Sequence, residues 1–256
     1  MAVYTCALPK GGSTKTSTGV EIALALARRG FRVLAIDLDQ QGNLSTRLGI
    51  TQETPIEATA AEVLDASATL REAAEPAPTA QGVDVIVGAH DLTALEEQPP
   101  PDLVTSLRDM LPTVGDRWDH VVIDTPPNVG ALTMAGLAAA DHVIVSLQAA
   151  TEAYDQLDRL EAVIAERLTR RIRPGLQISA VVPAMVDSRR LLDREILELL
   201  AQRYGDRVTP PVRQAVAVRD AYTAGMGVSV YDPDSAVAAD YRAATDHLLT
   251  LTMGAH

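Results

Sequence analysis

Residues 10–17 read Lys10-Gly11-Gly12-Ser13-Thr14-Lys15-Thr16-Ser17. They follow the apolar run Ala2-Val3-Tyr4-Thr5-Cys6-Ala7-Leu8 and precede Val20, Ile22, Ala23, Leu24 and Leu26, one apolar helical face ending at Gly30. A strand that turns through glycines into a helix admits few folds. Backbone N–H groups at the turn converge on an anion and the helix N-terminus adds positive partial charge. A lysine there neutralises phosphate oxygens and a hydroxyl ligates Mg²⁺. In this reading Lys15 is the phosphate lysine and Thr16 the direct Mg²⁺ ligand. The general pattern G-x4-G-K-[ST] is not met, because its two glycines fall on Pro9 and Thr14. A structural turn with a chance lysine is the competing interpretation.

The 256 residues are 47% hydrophobic but only 3% aromatic, so the core must be built from Ala, Val, Leu and Ile. A single cysteine excludes an internal disulfide framework or a cysteine metal cluster within one chain, and Cys6 is most simply a small buried apolar residue. No apolar run approaches the roughly 20 residues that span a bilayer, and the start lacks the plan of a signal peptide. The expected location is the cytoplasm. A formal net charge of −12 is opposite to the usual footprint of a nucleic-acid binder, so any DNA contact needs a local basic patch.

Strand-like runs alternate with helical periodicity almost throughout, which predicts an α/β fold: a doubly wound, mostly parallel sheet with helices on both faces. Strands are expected over 31–36, 83–87, 121–123, 143–147 and 178–182. Helices are expected over 59–64, 132–139, 191–200 and 236–251. Another is expected on the face formed by Tyr154, Leu157, Leu160, Val163, Ile164 and Leu168. The stretch around Pro99-Pro100-Pro101 is weakly helical, and 72–81 reads as a surface connection. With no internal repeat or linker, residues 1–256 read as one domain.

In open sheets of this kind, ligands sit beyond the carboxyl ends of the strands. Three segments fall there: 10–17, 37–43 and 124–130. Asp124, ending a hydrophobic strand, would hold the metal through water. Asp39 could orient a lytic water, and Asp37 would lie deeper, nearer the metal shell. The competing interpretation for all three is a strand-end or turn carboxylate.

These segments carry a family resemblance. Lys10-Gly11-Gly12-Ser13-Thr14-Lys15-Thr16 resembles the deviant Walker A loop of the ParA/MinD ATPases, with Thr14 where that family has glycine. Asp37-Leu38-Asp39-Gln40-Gln41-Gly42-Asn43 resembles its switch I, usually DxDPQGN, with Gln40 in the place of proline. The run 119–127, ending Ile123-Asp124-Thr125-Pro126-Pro127, is similar to its Walker B and switch II. Residues 212–221, Gly225, Tyr231-Asp232-Pro233-Asp234-Ser235 and Asp240-Tyr241 resemble the tail of plasmid-type ParA partition proteins. The likeness spans nearly the whole chain and lacks the N-terminal DNA-binding domain of some members.

The resemblance implies a slow ATPase with ATP and Mg²⁺ as cofactors. Lys10 would reach across a nucleotide-sandwich homodimer. Lys10, Gly11, Gly12, Ser13, Thr14, Lys15, Thr16 and Ser17 would bind nucleotide; Thr16, Asp37 and Asp124 would surround the metal; Lys10, Lys15 and Asp39 would serve catalysis. The ATP dimer would bind DNA nonspecifically on the nucleoid and release it after hydrolysis stimulated by a ParB-like centromere-binding partner. Arg189, Arg190, Arg213 and Arg219 are the expected DNA contacts, arginine suiting phosphate through its forked donors. Arg167, Arg170, Arg171 and Arg173 cluster where the long helix ends, and Arg170, Arg171 and Arg173 equally suit a helix C-terminus. Glycine is favoured where φ is positive or the backbone approaches phosphate, so Thr14 implies either a shifted loop or strain of about 1–3 kcal/mol with weaker binding.

Three alternatives stand beside this reading. One is a positioning switch with weak or no ATPase activity. Another is a MinD-like membrane ATPase, which needs a basic amphipathic C-terminal helix, whereas 248–256 has no Lys or Arg. The third is a metabolic P-loop enzyme such as a synthetase.

Overall fold

The computed structural model describes residues 1–8, 14–150 and 152–253 of the chain, without the side chains of residues 153 and 154. Seven strands are present among them: β1 (Ala2–Cys6), β2 (Val33–Asp37), β3 (Ala74–Pro76), β4 (Val83–Ile86), β5 (His120–Asp124), β6 (His142–Gln148) and β7 (Ile178–Ala184). They form one sheet in the order β3-β4-β2-β5-β1-β6-β7, parallel except for the β3–β4 pair. Every residue of β2 and β5 is buried, as expected of parallel strands covered on both faces.

The helices are α1 (Thr14–Arg28), α2 (Asn43–Arg47), α3 (Ala60–Leu64), α4 (Leu92–Glu97), α5 (Leu103–Met110), α6 (Ala131–Ala139), α7 (Glu152–Val163), α8 (Leu191–Tyr204), α9 (Val216–Thr223), α10 (Val228–Tyr231) and α11 (Ala236–Met253). Strand alternation divides the core. Tyr4, Cys6, Ala35, Val122 and Ile144 pack with Val20, Ile22 and Leu26 of α1 and with Tyr241 and Leu248 of α11. On the other face Leu34, Ile36, Val121 and Ile123 meet Leu103 and Leu107 of α5 and the buried Trp118. Val143 and Val145 meet Leu157 and Leu160 of α7 and Leu200 of α8. The doubly wound, mostly parallel architecture read from the alternation is therefore present, with β1, the strand before the glycine-rich segment, inside the sheet between β5 and β6.

Local chemistry explains several boundaries. Thr59 caps α3 by accepting from Glu62 N while Glu62 returns a bond to Thr59 N, a reciprocal capping box. Gly42, in the left-handed region at φ 60°, lets the chain leave β2 and enter α2. Leu157, Leu160, Ile164 and Leu168 are buried along one face as the spacing predicts. The side chain of Tyr154, assigned to the same face, lies outside the described residues. Beyond α7 the chain continues directly as a π-helix over Ile164–Thr169.

Two expectations are corrected. The stretch 72–81 is more than a surface connection: it contains β3, and Ala73, Ala74, Ala77 and Ala80 are buried. A three-residue antiparallel strand ending in proline is too short to show alternation, and alanine leaves little periodic signal. The strand expected over 31–36 starts at Val33 and runs on to Asp37. Arg32, just before it, is instead an anchor, its guanidinium and backbone N–H donating to Asp119 at the foot of β5.

Candidate nucleotide site

Parallel pairing places the ends of β1, β2 and β5 side by side: Cys6 is the register partner of Asp124, and Asp124 the partner of Asp37. Beyond that edge stands the first turn of α1. The Thr16 hydroxyl donates to Asp124 Oδ2 at 2.6 Å. The Lys15 ammonium lies 3.3 Å from Asp124 Oδ1 and donates to the Thr125 carbonyl. Lys15 and Thr16 are each only 6% exposed and Asp124 is fully buried, so these groups interact away from bulk water, where electrostatic coupling is strong. Lys10, Gly11, Gly12 and Ser13 lie outside the described residues.

Thr14 is the first residue of α1 and its hydroxyl faces the Ser146 carbonyl at 3.4 Å. Among the described residues only Ala66 and Met185 are non-glycines with positive φ. As the first residue of α1, Thr14 stands at a helical position, where φ is negative.

The carboxylates differ in what holds them. Asp37 accepts from Ser45 N and Ser45 Oγ at 2.9 Å each and from Asp39 N at 3.1 Å, which ties the end of β2 to α2. Burial first, then the adjacent Asp124 charge, pushes the Asp37 carboxyl well above the usual carboxylate range. Burial raises Asp124 too, with the Lys15 charge opposing. Asp39 accepts from Gln41 N at 3.0 Å and is 7% exposed at the turn between β2 and α2. Gln40 accepts from the Thr93 hydroxyl. Gly88, two residues after β4, allows this turn: a Cβ there would stand 2.7 Å from the carbonyl oxygens of both Asp37 and Asp39.

Asp124 Oδ1 is buried without a hydrogen-bond donor. Together with the Thr16 hydroxyl it forms a small set of hard oxygen donors. That suits Mg²⁺, which takes one or two protein ligands and leaves its other positions to phosphate and water. No group of three His, Cys, Asp or Glu side chains placed to hold a metal ion occurs among the described residues.

A cavity of about 570 Å³ opens beside α1, lined by Thr16, Ser17, Arg47, Met185, Arg213 and Tyr222 among others. Its far wall comes from the segment after β7. Val212 N donates to the Pro183 carbonyl at 2.8 Å, and the Tyr222 hydroxyl donates to Asn43 Oδ1 at 3.0 Å. Of the four expected DNA-contact arginines, Arg213 lines this cavity and is held by both Asp240 oxygens, and Arg219 lines it as well. Arg189 and Arg190 sit apart at the start of α8, both paired with Asp187.

Sequence reasoning missed Ser45, Gly88, Arg47 and Tyr222. Only Gly88 left a signal, as a glycine at the carboxyl end of a parallel strand.

A Lys-Thr pair opening the helix that follows an interior strand of a doubly wound sheet, with a buried aspartate from the end of the neighbouring strand against the threonine, defines a P-loop NTPase. A family model described as an AAA domain matches residues 1–178. The chain belongs to the ParA-type partition ATPase family. It is 36% identical over 237 residues to the chromosome partitioning protein ParA of Caulobacter vibrioides, covering 91% of this chain and 88% of that protein. It is 30% identical over 229 residues to the sporulation initiation inhibitor protein Soj of Bacillus subtilis, covering 88% and 89%. A solved Mycobacterium smegmatis structure of cobyrinic acid a,c-diamide synthase with bound ADP and magnesium matches with a TM-score of 0.81 at 29% identity, covering 98% of this chain and 94% of that one.

Proposed function

We propose that this chain is an ATP-driven DNA-partition switch, acting as one unit over residues 1–256. Lys15 and the first-turn N–H groups of α1 bind the phosphates. Thr16 and Asp124 hold magnesium, with Asp37 behind them on the neighbouring strand. Magnesium, when bound, neutralises charge on the phosphate oxygens. Asp39 orients the attacking water. Lys10 engages the nucleotide of a second subunit, so that ATP closes a homodimer. That dimer binds DNA nonspecifically through paired arginines, and a ParB-like partner stimulates slow hydrolysis and release in the cytoplasm, over the nucleoid.

The observation that carries this reading is the 2.6 Å bond from Thr16 to Asp124 beside the Lys15 ammonium, which assembles phosphate and metal groups at the sheet's carboxyl edge. The membrane alternative is less well supported. Leu248, Leu249 and Thr252 of α11 are buried in the core beside α1, and no helix among the described residues is long and apolar enough to cross a membrane.

The test is DNA binding with ATP, with ADP and without nucleotide, alongside Asp39→Ala. The expected pattern is ATP-dependent binding that Asp39→Ala makes persistent. Binding indifferent to nucleotide would overturn the proposal.

A further inference from the structure

Arg47, the last residue of α2, is only 6% exposed, yet among the described residues it makes no ion pair with a carboxylate. Its Nη1 donates to Ser17 Oγ at 2.8 Å and its guanidinium lies over the Tyr222 ring, 4.8 Å from the centroid. Its Nε is buried with no hydrogen-bond partner. A buried cation with an unsatisfied donor and no direct ion pair is costly: burial works against the charged form, and the carboxylates of Asp124 and Glu21 oppose that only through space. Such an arrangement persists where an anion completes it.

The position of Arg47 indicates which anion. Ser17 is the fourth residue of α1, within the turn whose N–H groups lack helical partners. Lys15 and Thr16 are engaged on the Asp124 side of that turn. Arg47 meets the turn at Ser17 and lines, together with Thr16, the cavity that extends towards Met185, Tyr222 and Tyr241. It therefore stands between the phosphate-binding turn and the space left for the rest of the nucleotide.

Resting on the nucleotide reading above, we propose that Arg47 is a nucleotide-binding residue that supplies a second positive charge, through its guanidinium, to the phosphate nearest the sugar. Because Arg47 ends α2, which begins four residues earlier at Asn43, this contact ties the switch helix to bound nucleotide whether or not a terminal phosphate is present. The ligand class is a nucleoside diphosphate or triphosphate, gripped alike in both forms.

The test uses the full chain and calorimetry with Mg-ADP and Mg-ATP. Arg47→Met keeps length and burial without charge. Arg47→Gln keeps a donor for Ser17 and serves if the Met variant does not fold. Arg47→Lys keeps the charge. The expected result is at least a tenfold loss of affinity for both nucleotides, equal for the two, in the Met or Gln variant, with the Lys variant intermediate. The nucleotide-free melting temperature should hold or rise, since an uncompensated buried charge has been removed. A structural arginine would instead lower that temperature and leave affinity within threefold of the parent, and that result overturns the inference, as does a loss confined to ATP. Failure of the parent chain to bind either nucleotide at millimolar concentration overturns the nucleotide reading itself, and this inference with it.

Discussion

The Thr16 hydroxyl donates to Asp124 Oδ2 at 2.6 Å, joining the first turn of α1 to the last residue of β5. The bond presents one carboxylate to two neighbours, since the other oxygen faces the Lys15 ammonium at 3.3 Å. Asp124→Asn keeps an acceptor for Thr16 but no longer balances Lys15 or offers a hard anionic ligand. Losing several kcal/mol of metal-linked charge stabilisation corresponds to about a thousandfold or more in rate. Phosphate release by the variant should fall by that order, and its nucleotide affinity should no longer respond to EDTA. An Asn variant that still hydrolyses ATP at the parent rate would remove Asp124 from the metal site.

Ser45 holds Asp37 with both its backbone N–H and its hydroxyl at 2.9 Å. Ser45→Ala removes one of three donors from a fully buried carboxylate and leaves Gly88 N without its Ser45 acceptor. A partly unsatisfied buried group costs about 1–3 kcal/mol. Urea unfolding should show a loss in that range with an unchanged m-value, and no loss would mean that water replaces the hydroxyl.

Thr14→Gly tests the one departure within the described part of the phosphate loop. Thr14 opens α1 at a helical position, so glycine relieves no strain there and loses about 1 kcal/mol of helix propensity together with the weak bond to the Ser146 carbonyl. Thermal unfolding should register that small loss, while ATP affinity should be kept. A large fall in affinity would show that the threonine side chain contacts the nucleotide.

Strand and helix positions around the site were legible because parallel strands buried on both faces are continuous apolar runs, and because glycines and aspartates mark their carboxyl ends. Lys15, Thr16 and Asp124 could be assigned from that grammar, and the structure brings them together. The arginine pairings and the lining of the cavity could not. Arg47 and Ser17 are 30 residues apart and Tyr222 is 179 from Asn43, contacts set by how α2 and α9 pack and not by local pattern. β3 escaped for a different reason: its burial rests on alanines, whose hydropathy is too weak to reveal a face.

Arg32 and Asp119 tie the amino ends of β2 and β5 at the edge of the sheet remote from the site. The Arg32 backbone N–H and guanidinium donate to Asp119 at 2.7–3.1 Å, and the Arg32 carbonyl accepts from Asp119 N at 2.8 Å. The guanidinium hydrogen bond depresses the Asp119 carboxyl to about 2. A carboxylate with a lowered folded pKa contributes stability that is present above its unfolded value of about 4 and is lost as pH falls through the folded value. Asp119→Asn should therefore be less stable than the parent at neutral pH, and the gap should close between about pH 4 and pH 2. Because the pair is exposed, the gap should also shrink with salt. A gap constant over that window would mean that shape, and not charge, holds the corner.

The four candidate DNA-contact arginines are unequal in what a phosphate must displace. Arg189 and Arg190 share Asp187, and Arg213 is held bidentately by Asp240, whereas no ion pair to Arg219 occurs among the described residues. On a chain of net charge −12, each released arginine and each removed carboxylate counts in the same direction. Asp187→Ala should therefore tighten ATP-dependent DNA binding, by freeing two guanidinium groups and removing a like charge from the approach of the phosphate backbone. Arg219→Ala should weaken it and reduce the slope of log affinity against log salt by about 0.9 for each phosphate that is no longer neutralised. Titrations from low to physiological salt distinguish direct phosphate binding from a fold effect, because a fold effect lowers affinity without changing the slope. If Asp187→Ala weakens binding, the start of α8 is not part of the DNA surface, and the phosphates are met on the Arg213–Arg219 side alone.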